Sequence, residues 1–199
     1  MTIPVDLPPN PIQIVAPAMN SRVAERVQKL LECGKNTKDA QKLMVFDATK
    51  KSSENRFFVI DVRDRANPKL VLESPVAHGS GSDPKSKGLI EKFSNAFNSH
   101  ATSLGLYKIA ERYTGKHPGA SWRLDGLTKG FNDNARGRAV VIHSSSYVGN
   151  GRTGRSQGCP ALPRQTVDRI AELKLTNAFL LIDDGKDDLN KALSLSCKG

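Results

Sequence analysis

The sequence predicts a mostly antiparallel β domain with helices near its two ends. Three observations carry that prediction. Short apolar runs of strand length, rich in Val, Ile and Phe, fill the middle of the chain between turn residues. Helical spacing of apolar residues, by three and four, is confined to the flanks. The length, 199 residues, fits one domain with a core of ample size.

Residues 1–18 hold Pro4, Pro8, Pro9, Pro11 and Pro17 and read as an extended lead-in. Asn20 or Ser21 can cap a helix through Val23, Val27, Leu30 and Leu31, with Gly34 as its stop; the helical segment is 20–34. The period then changes. Lys42 to Asp47, Arg56 to Val62 and Lys69 to Ser74 read as strands, the first two joined as a hairpin by the Lys50–Asn55 turn. His78-Gly79-Ser80-Gly81-Ser82 is a loop, and Phe93 to Ser103 is polar and turn-rich. Leu106 to Ala110 and Arg138 to His143 read as strands. Residues 149–158 carry four glycines and two arginines without a large apolar residue, as an exposed loop does. Pro163 can open a helix through Val167, Ile170, Ala171 and Leu173. Ala178 to Asp183 is a buried strand, and Asp187 or Asp188 starts a last helix to Cys197.

Composition excludes several classes. With 38% hydrophobic and 25% charged residues the chain is not of the disordered type. No stretch approaches the ~18 apolar residues of a membrane helix. Met1-Thr2-Ile3-Pro4 begins no signal peptide. The net charge is +10, which suits an acidic polymer, a membrane surface or simply a solvated basic face. From Asn134 to Val167 there is no acidic residue, but there are five arginines: Arg136, Arg138, Arg152, Arg155 and Arg164. Tyr147 is the one aromatic there, which argues against nucleic acid. Cys33, Cys159 and Cys197 lack zinc-finger spacing, and no metal or cofactor is expected. Cys33 and Cys197 could pair in an oxidising compartment or remain two ordinary thiols.

The chemistry gathers around His143 and Cys159. His143 ends an apolar strand, and Cys159 follows sixteen residues later at the end of the Gly/Arg loop. A loop of that length can return the thiol to the imidazole. A thiol attacks as thiolate, and a neighbouring imidazolium and positive potential favour that form. Gly158 allows close approach to backbone N–H groups that could hold an oxyanion. Pro160 removes one donor, leaving the N–H of Cys159 or of earlier residues. The histidine precedes the cysteine, the reverse of papain-like peptidases.

Ile142-His143-Ser144-Ser145-Ser146-Tyr147-Val148, followed by Gly154-Arg155-Ser156-Gln157-Gly158-Cys159-Pro160-Ala161-Leu162-Pro163, resembles the active-site signature of YkuD-type murein L,D-transpeptidases, and more closely their second subfamily. His78-Gly79-Ser80-Gly81-Ser82, Phe93-Ser94-Asn95, Ser103-Leu104-Gly105-Leu106-Tyr107, Arg123-Leu124-Asp125-Gly126-Leu127 and Gly130-Phe131-Asn132-Asp133-Asn134-Ala135-Arg136 extend the resemblance over roughly 40–185. It implies a mainly β sandwich or barrel with peripheral helices, the nucleophile loop lying at one rim. One catalytic domain would span 19–199. The resemblance assigns Cys159 as nucleophile, His143 as base and Ser144 as the residue whose carbonyl orients the imidazole. The thioester would form at meso-diaminopimelate of a peptidoglycan stem peptide and be resolved by an amine of a neighbouring stem.

The main family carries a histidine just before the Gly-Cys pair, where this chain has Gln157. Gln157 is then a candidate for substrate or oxyanion contact, Ser156 for fixing the loop, and Arg155 for binding a stem carboxylate or packing on the sheet. Tyr147 could donate to the oxyanion or pack. His78 and Ser80 could form a wall of the cleft or a glycine-rich turn. Phe131 to Asn134 reads as a turn held by Asx hydrogen bonds. An L,D-carboxypeptidase on the same scaffold and a non-catalytic wall-binding module are the alternatives. The expected partners are donor and acceptor stem peptides, with neither nucleic acid nor a membrane span, for a monomer. The expected location is periplasmic, with the export signal removed and Met1 added.

Overall fold

A computed structural model describes residues 10–149, 151–193 and 195. Among them the chain forms four helices, α1 (Pro11–Val15), α2 (Ser21–Cys33), α3 (Arg164–Glu172) and α4 (Asp188–Ala192). Ten strands accompany them: β1 (Lys42–Asp47), β2 (Phe57–Asp61), β3 (Lys69–Ser74), β4 (Gly105–Thr114), β5 (Ala120–Gly126), β6 (Val141–Ser144), β7 (Val148–Gly149), β8 (Arg152–Thr153), β9 (Ala161–Leu162) and β10 (Ala178–Asp183). Eight of these make one sheet in the order β3-β2-β1-β10-β4-β5-β6-β9, while β7 and β8 form a separate small hairpin.

The sheet is nearly closed. Past β3 the chain turns so that Ala77 and Ala161 exchange backbone hydrogen bonds (2.8 and 3.4 Å), and Gly79 bridges Ser156. The segment after one edge strand thereby meets β9 at the other edge, which removes most exposed edge. Pairing is antiparallel except for β1 with β10 and β6 with β9. β1 and β10 are central and buried along their whole length, so they read as unbroken apolar runs.

α2 follows from its ends and its stripe. The Asn20 side chain accepts from Arg22 N–H at 3.0 Å, and Val23, Val27, Leu30 and Leu31 are buried in the core. Gly34 stops it, donating to Leu30 O at 2.9 Å; a Cβ there would lie 2.3 Å from that oxygen. Buried Arg26 pairs with buried Asp183 at the end of β10 and fastens the helix to the barrel.

The sequence reading needs several corrections. The lead-in is not wholly extended: Pro11 takes the first helical position of α1, Asn10 caps it at 2.8 Å, and Ile12 is fully buried. Ala120–Gly126 is a strand that the reading did not contain. β4 runs on to Thr114, because β5 pairs with its second half. β6 begins only at Val141, because Ala139 is in the left-handed region at φ 55° and Val140 N–H bonds Ala135 O. The loop at 149–158 contains the β7–β8 turn. The 131–134 segment is a turn, but Asn132 holds it by reaching back rather than through an Asx turn: its Oδ1 accepts from Thr128 N–H and its amide donates to Leu106 O, each at 2.9 Å. α4 ends at Ala192. Cys33 is disulfide-bonded; Cys197, with which the sequence left pairing open, lies outside the described residues.

Candidate active site

β6 and β9 run side by side, with His143 opposite Ala161. Cys159 sits two residues before Ala161, and His143 N–H reaches Pro160 O at 3.4 Å. Parallel pairing at the rim thus juxtaposes the two residues that the sequence singled out.

His143 is 2% exposed, with Nδ1 2.9 Å from Ser144 O. A carbonyl only accepts, so the neutral ring carries its hydrogen on Nδ1 and leaves a lone pair on Nε2. Burial pulls the imidazole down to about 4, helped by His117 and Lys116 and opposed by the Ser144 carbonyl. Cys159 is half-buried, its Sγ 4.0 Å from Ala139 O. Burial pushes the thiol above its usual range, against the pull of the Val141 N–H, Arg138 and Lys116. The resting pair is therefore neutral thiol and neutral imidazole, and no hydrogen bond joins them. Burial therefore outweighs the positive field that would favour a thiolate.

Ser156 organises the nucleophile loop. Its hydroxyl donates to Cys159 O at 2.6 Å and accepts from Gly158 N–H at 3.1 Å. Its backbone bonds His78 O at 2.8 Å and Ser80 N–H at 2.7 Å, continuing the barrel closure. Gly158 has φ +112°, and a Cβ would meet Ala101 O at 2.8 Å and Arg138 Nη2 at 3.3 Å. Only glycine fits both the backbone and the space. Because Gly158 N–H is taken by Ser156, the donor left at this corner for an oxyanion is the Cys159 N–H.

The arginine field is narrower than the sequence suggests. Arg136 is held by Glu111 and Asp125, each at 2.5 Å, and Arg164 by Asp168 at 2.8 Å. Arg155 donates to the Asp83 carbonyl, so its described contact is packing. Arg152 is described only in its backbone. Arg138 remains: half-buried and without a carboxylate, it donates to Ser94 O (3.0 Å), Ala101 O (2.6 Å), Ser99 Oγ (3.2 Å) and Ser103 Oγ (3.3 Å). Its charge bears on Cys159.

The other candidates divide. Gln157 is exposed, and Tyr147, 37% exposed, accepts Gly154 N–H at its carbonyl (2.7 Å) on the β7–β8 hairpin. Ser80 is half-buried and bonded through its backbone. His78 is fully buried and cannot form a cleft wall. Its Nδ1 takes a hydrogen from Arg56 Nη2 at 2.7 Å, and its Nε2 faces Asp83 Oδ2 at 3.3 Å. Burial and the Arg56 charge pull it down to about 4.

Sequence reasoning missed two neighbours of the site. Arg138 was only one of a run of arginines. His117 belongs to no motif in the sequence, yet its ring stacks on His143 with centroids 3.8 Å apart and planes at 23°. Among the described residues no three His, Cys, Asp or Glu side chains converge as metal ligands, and no helix is long and apolar enough to cross a membrane.

A family model, YkuD_2, described as the L,D-transpeptidase catalytic domain, matches residues 16–182. No curated protein matches the chain. Solved structures similar to it include an L,D-transpeptidase from Xylanimonas cellulosilytica, at 15% identity and a TM-score of 0.42 over 72% of this chain and 61% of that one. Another, from Mycobacterium smegmatis, is 13% identical, with a TM-score of 0.43 over 72% of this chain and 59% of that one. A third, from Stackebrandtia nassauensis, is 14% identical, with a TM-score of 0.42 over 86% and 75%. The chain spans about three fifths of the length of the first two.

Proposed function

The chain belongs to the L,D-transpeptidase catalytic domain family, and from that premise we propose that it is a cysteine acyltransferase that crosslinks or exchanges residues at meso-diaminopimelate of peptidoglycan stem peptides. One observation carries the assignment of roles. The Nδ1 contact with Ser144 O fixes the imidazole so that Nε2 is a free acceptor, beside the loop that presents Cys159.

His143 Nε2 takes the thiol proton as Sγ adds to the stem carbonyl carbon. The Cys159 N–H holds the developing oxyanion. Collapse breaks the bond to the terminal D-residue, whose amine leaves with the proton from His143, and a thioester remains. An acceptor amine then attacks the thioester, passing its proton through Nε2 back to sulfur. The thioester conserves the energy of the amide, so no nucleotide is consumed. Arg138 stabilises negative charge at sulfur in the transition state. Gln157 and Tyr147, exposed near the thiol, are the candidates for holding the stem peptide, and Ser156 and Gly158 shape the loop. The substrate places the enzyme outside the cytoplasm, in the periplasm. Its partners are two stem peptides, and no cofactor takes part.

Incubation with a disaccharide tetrapeptide, followed by mass spectrometry, tests the reading. Crosslinked dimers that disappear in Cys159→Ala are expected. Tripeptide alone would assign hydrolysis instead, and unchanged tetrapeptide with folded protein would overturn the proposal.

A further inference from the structure

His117 makes no hydrogen bond among the described residues, and its ring stacks on that of His143. It rides on the 115–119 turn between β4 and β5, far from β6 in sequence. Resting on the reading of the site given above, we propose that His117 is a positioning residue for the base: its ring covers one face of the His143 imidazole and holds it with Nδ1–H on Ser144 O and Nε2 open for the Cys159 proton.

Two ties make the arrangement specific. Ser144 acts at both ends of it, its carbonyl accepting from His143 Nδ1 and its hydroxyl donating to Pro118 O, next to His117. One residue therefore registers the turn against the ring that the turn covers. Gly119, at φ +85°, lets the chain double back into β5 directly after that tie.

The physical consequence follows from ring electrostatics. Two neutral imidazoles stack favourably, offset and nearly parallel. A second proton on the stack is disfavoured, because both rings are partly desolvated and each charge repels the other. Lys116 on the same turn adds to that repulsion. The other polar and charged groups at the site are the Ser144 carbonyl on β6, Cys159 on the nucleophile loop, Tyr147 on the small hairpin, and Arg138, which bears on Cys159. None of them is a carboxylate, and the Cys159 thiol and Tyr147 phenol are both pushed toward their neutral forms by burial, so nothing among them holds a doubly protonated stack together. His117 thus keeps the base unprotonated at rest and limits rotation about its side-chain bonds. It does so without touching substrate or the reacting atoms.

The test uses the intact protein and a probe that needs no cell-wall substrate. The rate of Cys159 alkylation by iodoacetamide is measured from pH 4 to 9 in wild type, His117→Ala and His117→Phe, beside histidine-ring 15N shifts for His143. His117→Ala is expected to slow alkylation near neutral pH roughly tenfold and to mix the Nδ1–H tautomer with its alternative. His117→Phe keeps a stacking ring without a titrating group. It should restore the rate to within about twofold, with its acid limb moved to higher pH, because the repelling charge is gone. Wild-type rates and tautomer in both variants would overturn the proposal, as would an equal loss in both. If His117→Ala fails to fold, the His117→Phe profile and the wild-type tautomer still decide. Should the muropeptide assay give no product while alkylation responds in this way, the proposed function fails and the positioning role stands.

Discussion

Two histidines in this barrel are equally buried and equally hard to protonate, yet they are built for opposite purposes. His78 and His143 are 0% and 2% exposed, and burial brings each down to about 4. At His78 the guanidinium of Arg56 can only donate, so Nδ1 accepts and Nε2–H faces Asp83. Both nitrogens are occupied. At His143 the carbonyl of Ser144 can only accept, so Nδ1 donates and Nε2 is left free. Depressed basicity alone does not mark a catalytic histidine. On the proposed reading, what distinguishes His143 is the unfilled acceptor beside the Cys159 loop.

The comparison breaks most sharply by mutation of the base. His143→Gln should lower acylation of Cys159 by roughly a hundredfold or more, the range expected for losing a general base. Its melting temperature should move little, because the removed ring has a single polar partner. His78→Phe should do the reverse. It takes one acceptor from the buried Arg56 Nη2, which keeps only Val76 O, and one donor from Asp83 Oδ2, which keeps only Gly88 N–H, a loss of roughly 3 kcal/mol. Thermal melting should then fall by about 6–12 °C, with the acylation rate per folded molecule changed far less than in His143→Gln.

Acid should affect both histidines together. Each has a folded-state pKa below its unfolded value near 6.5, so the unfolded chain binds the proton more readily. Their contribution to stability is complete above about pH 6.5 and is lost as pH falls toward 4. Denaturant titrations between pH 7 and 4 should show stability falling by a few kcal/mol in wild type, and by less in His78→Phe. The smallest effect belongs to Ser144→Ala. The carbonyl that orients His143 stays, and only the hydroxyl tie to Pro118 goes. A rate loss within about fivefold is expected in the same acylation assay, since one neutral hydrogen bond is removed.

What the sequence revealed follows from where the information lies. β1, β3 and β10 were read to their end residues, since each is a contiguous run between turn signals, and α2 declares its own caps. β5 was legible but passed over: Ala120, Trp122 and Leu124 alternate with Ser121, Arg123 and Asp125, the period of a half-buried strand. Cys159 and His143 stand out because a short motif brackets each. The environment of His78 could not be read, because Arg56 arrives from 22 residues upstream and turns an apparently exposed Gly/Ser loop inward. The stack of His117 on His143 joins a turn residue to a residue of a distant strand, and no local pattern encodes it. The charge run misled for the same reason: Glu111, Asp125 and Asp168 come from outside the acid-free segment and neutralise two of its arginines.

The central claim is that a neutral His143, its lone pair on Nε2, takes the proton of a neutral Cys159. The most direct measurement is the rate of a carbapenem adduct on the intact protein, followed by mass from pH 4 to 8 in wild type and Cys159→Ala. The account predicts a single adduct that is absent from Cys159→Ala. Its rate should hold level down to about pH 5 and fall only toward the depressed value of His143, near 4. A rate that already falls through pH 6.5, or an adduct that persists without Cys159, would contradict it.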